Sequence, residues 1–133
     1  MAKVYLAFDF GTQRVGVATG NGLMNYASPL TTIDKQGDKR FVAIAALIDQ
    51  WQPDELVVGV PRYPDGNAHQ NTARAQRFAR QLHGRTSLVV HEVDERYSTV
   101  EAASKCAGRA SPLGDIDAVS AAVILQQFLD NLP

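Results

Sequence analysis

Four acidic residues stand where acids can do chemistry. Asp9 interrupts an apolar run, Asp94 and Glu95 close another, and Asp117 opens a C-terminal helical pattern. A carboxylate inside a buried strand is costly unless it is paired, hydrogen-bonded or bound to a cation. The ordinary alternative for Asp9 is a cap on the turn that follows it. Phe10, however, separates it from Gly11, and apolar residues flank it on both sides, which favours a site. At about 100° per residue, Asp117 falls on the stripe of Ala121, Ile124 and Phe128 and is expected to face inward. Asp115 suits a solvent-facing first turn instead. The Asp94-Glu95 pair is less telling, because strand ends often carry solvated charge and Arg96 can neutralise one of the two. Position alone leaves the choice between them open.

Carboxylates drawn from a strand, a strand end and a helix form an all-oxygen set suited to Mg²⁺ or Mn²⁺. Two such ions about 3.5–4 Å apart hold an attacking water and stabilise the leaving oxygen in phosphodiester hydrolysis. The histidines do not compete, since His69, His83 and His91 show no zinc-ligand spacing. The single cysteine, Cys106, excludes an internal disulfide, fits a reducing cytoplasm and reads as an incidental thiol.

Phosphate-facing groups are expected beside the acids. Gly11-Thr12-Gln13-Arg14-Val15-Gly16 has the spacing of a phosphate loop, but Val17-Ala18 stands where that loop needs Lys-Ser/Thr. The segment also joins two strands rather than opening a helix. A tight turn there still presents backbone N–H groups, from Gly11 onward, and the Thr12 hydroxyl to a phosphate. Arg14 and Arg96, each beside an acid, are the arginines best placed to grip phosphate, with Arg74 and Arg77 on the polar side of a helix as further candidates. Arg80 and Arg85 read as a solvated helix face, and only Tyr63 and Tyr97 are placed to stack on bases.

These residues need a scaffold. Val4 to Phe10, Arg14 to Thr19 and Tyr26 to Ile33 read as three strands in quick succession, an antiparallel meander. A helix is expected over Asp38 to Trp51, ended by Pro53, then a strand over Glu55 to Val60, closed by Pro61 and the turn-like 64–67. A helix over Ala68 to His83, a strand over Thr86 to Val93, a helix over Ser98 to Ala107 and a last helix over Asp115 to Leu132 complete the chain. The order βββαβαβαα predicts an α/β fold, a mixed five-stranded sheet flanked by helices in the ribonuclease H-like arrangement. At 133 residues a single domain over 1–133 is expected. The longest apolar run falls well short of the ~20 residues of a membrane span, so no membrane partner is expected. The formal net charge of −1 neither requires nor excludes nucleic acid, because local basic faces matter more than the total.

Together the motifs resemble the YqgF/RuvX family, the pre-16S rRNA nucleases or Holliday-junction-resolvase-like proteins. The resemblance covers nearly the whole chain. It rests on Phe8-Asp9-Phe10-Gly11-Thr12 with Arg14 and Gly16, on Val58-Gly59-Val60-Pro61 with Asp65-Gly66, on Asp94-Glu95-Arg96-Tyr97-Ser98-Thr99, and on Asp117 leading Ala121-Ala122. It implies a ribonuclease H-like fold and a role in maturing the 5′ end of 16S rRNA in the bacterial cytoplasm. It also implies Asp9, Glu95 and Asp117 as the catalytic and metal-binding acids, so the resemblance, not the spacing, selects Glu95 over Asp94. One segment departs from the family: Gly108 to Gly114, before the last acid, is short and holds one basic residue, Arg109. The expected partner is nucleic acid, precursor rRNA first and branched DNA second, with ribosomal particles as the setting and a monomer or weak dimer as the assembly. Two alternatives compete with rRNA cleavage: resolution of four-way DNA junctions, and non-catalytic RNA binding in ribosome assembly. An ATP-binding half-domain, suggested by the Asp-x-Gly-Thr turn, is disfavoured because a chain this short supplies one of the two domains such proteins close around ATP.

Overall fold

The computed structural model describes residues 3–62, 65, 67, 70–94 and 116–132. The elements are β1 (Val4–Phe10), β2 (Val15–Asn21), β3 (Tyr26–Ile33), α1 (Gly37–Trp51), β4 (Glu55–Val60), α2 (Thr72–Thr86), β5 (Val89–Asp94) and α3 (Ile116–Asp130). The strands form one sheet in the order β3-β2-β1-β4-β5. β1, β2 and β3 pair antiparallel, whereas β4 and β5 join parallel to β1 through helical crossovers. This is the mixed five-stranded α/β arrangement that the element order predicts. The helix expected over 98–107 lies outside the described residues.

Successive residues of a strand face opposite sides of the sheet, and the apolar residues sort accordingly. Leu6, Phe8, Val15, Val17, Leu56 and Val58 pack beneath α1 and α2, against Ile44, Phe78 and Leu82. Tyr5, Ala7, Ala18, Val57 and Val93 lie on the other face under α3, against Ala121, Ala122 and Leu125. Among the described residues α3 alone covers that second face, burying Ala118, Ala121, Ala122, Ile124, Leu125 and Leu129.

β2 runs over Val15–Asn21 rather than Arg14 to Thr19, and three further boundaries differ from expectation for identifiable reasons. α2 starts at Thr72 rather than Ala68, because the Thr72 hydroxyl donates to the Pro61 carbonyl and pins the first turn to the end of β4. At its other end α2 runs on through Thr86, whose hydroxyl bonds back to the Leu82 carbonyl at 2.7 Å. Ser87 then adopts the left-handed conformation at φ 61°, and β5 begins only at Val89. At the amino edge of the sheet, Lys3 and His91 both hold Glu55, at 2.8 and 2.7 Å, tying β1, β4 and β5 together. Their hydrogen bonds, Lys3 first, keep the Glu55 carboxyl below its ordinary range. No helix among the described residues is long and apolar enough to cross a membrane.

A fully buried glutamine, Gln126, locks α3 to the β2–β3 hairpin. Its Oε1 accepts from the Ala27 N–H at 3.0 Å, and its Nε2 donates to the Asn25 carbonyl at 3.0 Å and to Asp130 at 3.1 Å. Gln126→Leu removes these hydrogen bonds from a fully buried position, each with a net worth of about 0.5–1.5 kcal/mol. A lowered urea midpoint is expected; an unchanged midpoint contradicts this role.

Candidate active site

Asp9 lies next to the carboxyl end of β1, opposite Gly16 on β2 and Gly59 on β4. By the pleat it shares the α3 face with Tyr5 and Ala7. Both cross-strand neighbours on that face are therefore glycines, and neither sets a side chain beside the Asp9 carboxylate.

Gly16 has a second consequence. A Cβ there would strike the Asp117 carbonyl and lie 2.9 Å from the Ala118 nitrogen. Glycine at 16 is thus what lets the first turn of α3 rest on β2, directly beside the register position of Asp9. The contact carries Asp117 from the far end of the chain to the same edge. Its side chain is 36% exposed, so the inward stripe position holds in part, with the carboxylate at the rim rather than in the core.

Arg14 comes to the same place. Its Nε stands 3.0 Å from Asp117 Oδ2, so the structure places it on an acid rather than alone in solvent. The turn it closes is tight: a Cβ on Gly11 would sit 2.6 Å from the Arg14 carbonyl. Thr12 and Gln13 are exposed at its tip.

The β5 acid falls elsewhere. Val93 packs on the α3 face, so the next residue, Asp94, projects to the α2 face, away from Asp9. There Arg62 Nε stands 3.9 Å from Asp94 Oδ2, on the fringe of an ion pair. Glu95 and Arg96 lie outside the described residues, as do Tyr63, Tyr97, Cys106, Asp115 and 108–114. Among the described residues no three acidic, histidine or cysteine side chains cluster as a metal site. Asp9 and Asp117 are two hard oxygen donors at one edge, a donor type that suits Mg²⁺ or Mn²⁺.

Arg74 and Arg77 are exposed on α2, with Arg74 bonded to Asn71 at 3.2 Å. They belong to the opposite side of the sheet from Asp117, with Arg74 near the carboxyl edge where α2 starts. Arg85 instead stacks 4.1 Å from the Phe41 ring centre and reaches Asp38, a packing role.

Arg40 on α1 is a residue that the sequence pattern does not single out. It is only 6% exposed, and its guanidinium donates to the Lys35 carbonyl at 2.8 Å and the Thr12 carbonyl at 3.2 Å while lying over Phe10. Burial lowers its pKa from the ordinary arginine value. Gln36 adds a bond of 2.7 Å to the Gln13 carbonyl. The tip of the β1–β2 turn is thus clamped from behind by the start of α1. The only signal in the sequence is an arginine on the apolar stripe of α1, one position from Phe41.

A family profile described as "RuvX: Holliday junction resolvase" matches residues 3–131. A Polaromonas protein named "Putative pre-16S rRNA nuclease" is 57% identical over 131 residues, covering 98% of this chain and 91% of its own. An Albidiferax ferrireducens protein of the same name is 54% identical, covering 98% and 80%. Among solved structures, Thermus thermophilus RuvC aligns over 91% of this chain and 92% of its own with a TM-score of 0.56. RuvC from the same organism in complex with a Holliday junction substrate aligns equally well, at 0.56 over 92% and 91%. At 13% and 14% identity these two show the fold alone, and that fold is ribonuclease H-like.

Two substitutions test the geometry. Gly16→Ala drives a methyl into the backbone of α3 and is expected to lower stability by about 1–3 kcal/mol, read by thermal denaturation; an unchanged melting temperature contradicts the close approach. Arg40→Met leaves two carbonyls without their donor and is expected to cost roughly 1–3 kcal/mol. Hydrogen exchange at Gly11 to Arg14 should quicken with it; unaltered exchange there contradicts the clamp.

Proposed function

The chain belongs to the RuvX family, and on that premise we propose that it is a metal-dependent nuclease that hydrolyses phosphodiester bonds in maturing the 5′ end of pre-16S rRNA. The observation that carries the reading is the meeting of Asp9 and Asp117 at one sheet edge across Gly16. Residues 1–133 act as one domain, as a monomer or weak dimer, in the cytoplasm where ribosomal particles are assembled.

In this reading Asp9, Glu95 and Asp117 hold the cations, Mg²⁺ or Mn²⁺. Asp94 projects to the wrong face, which supports Glu95 as the third acid, in agreement with the family's motif. When bound, two cations supply charge neutralisation at the phosphate and activation of a water. The chain's own groups do the rest. The glycines flanking Asp9 leave space for a phosphate to approach the carboxylates. The turn at Gly11 and Thr12, held still by Arg40 and Gln36, offers N–H and hydroxyl donors to phosphate oxygens. Arg14 and Arg96 supply positive charge beside the acids, and Arg74 and Arg77 meet the nucleic-acid backbone farther along the edge.

The family's description favours one further substrate, the four-way DNA junction. Parallel assays with Mg²⁺ or Mn²⁺ on precursor 16S rRNA and on a four-way junction separate the two, with faster cleavage of rRNA expected. Asp9→Asn keeps the shape and removes the charge, and is expected to abolish cleavage of both. Equal activity in the wild type and Asp9→Asn rules out this site.

A further inference from the structure

The ion pair between Arg14 and Asp117 joins a group that the nuclease reading assigns to phosphate with one that it assigns to a cation. A guanidinium and a divalent cation repel each other, so the two compete for the one carboxylate on which Arg14 is seated. From this we infer that Arg14 is an exchange residue: it occupies Asp117 while the cation is absent, and moves to the substrate phosphate when the cation takes the carboxylate. The inference rests on the nuclease reading and adds to it a coupling between cation and nucleic acid.

Three features support the exchange. The pair is open to water, with Arg14 62% and Asp117 36% exposed, and exposed ion pairs are weak and open readily. The ends of the pair are fixed: Val15, next to Arg14, is fully buried, and the first turn of α3 rests on Gly16. The turn itself is clamped by Arg40 and Gln36, so a released Arg14 side chain swings from a stationary root and stays at the acid edge. Arginine's planar fork then suits a phosphate as well as it suited a carboxylate. Coupling of this kind is reciprocal, so cation strengthens nucleic-acid binding and nucleic acid strengthens cation binding.

The test measures binding, without turnover. Mn²⁺ affinity is read by electron paramagnetic resonance on the wild type, Arg14→Gln, Asp117→Asn and Arg80→Gln, the last an exposed distal arginine that controls for net charge. Affinity for a labelled precursor-rRNA fragment is read by fluorescence anisotropy with and without Ca²⁺. Arg14→Gln is expected to bind Mn²⁺ several-fold more tightly than the wild type or Arg80→Gln, and RNA several-fold more weakly. It should also lose most of the enhancement that Ca²⁺ gives to RNA binding. If Arg14→Gln binds Mn²⁺ no better than the wild type while Asp117→Asn loses it, the exchange is wrong and the nuclease site stands. Equal enhancement of RNA binding by Ca²⁺ in the wild type and Arg14→Gln likewise overturns the exchange alone. If Asp117→Asn binds Mn²⁺ as the wild type does, the metal assignment fails and the exchange fails with it.

Discussion

The approach of the first turn of α3 to Gly16 is the constraint on which the rest of the site depends. Asp9 and Asp117 are separated by most of the chain, and the contact at Gly16 sets their backbones side by side. Any side chain at position 16 forces α3 outward and takes Asp117 with it. The same contact brings Asp117 to Arg14, because Arg14 lies two residues before the glycine on which the helix rests. A missing Cβ thus determines where two acids and one arginine stand.

The two faces of the sheet carry different burdens. Under α1 and α2 lies the larger aromatic packing, Phe8, Phe10 and Phe41 around Phe78, which holds the strands and the turn rigid. Arg40 belongs to that face, and it reaches past Phe10 to fix the carbonyl of Thr12 on the exposed turn. The α3 face is lined with small residues, Ala7, Ala18, Ala121 and Ala122, so the helix sits close to the strands. Rigidity is built on one side, and the acids gather at the edge of the other.

Much of this is legible in the residues themselves. Strands β1, β3 and β4 fall where apolar runs and turn residues place them, because hydrophobic periodicity is a local signal. The starts of α2 and β5 depart from the periodic pattern because hydroxyl bonds from Thr72 and Thr86 decide them, and those depend on partners the pattern does not name. Asp9 is recognisable as a charge in an apolar strand. Composition does not separate Asp94 from Glu95, but the pleat separates Asp94 from Asp9 at once. Gly16 reads as part of a failed phosphate-loop spacing, since the need for glycine comes from a helix about a hundred residues later. Arg40 is hidden for a related reason: its value lies in two backbone carbonyls, and those carry no residue identity.

If Asp9 and Asp117 share a cation at the edge of the sheet, anomalous diffraction from Mn²⁺-soaked crystals measures it most directly. A peak bridging the Asp9 and Asp117 carboxylates, with the Arg14 guanidinium withdrawn from Asp117, is the expected result. Absence of any peak at these carboxylates at saturating Mn²⁺, with Arg14 still seated on Asp117, contradicts it.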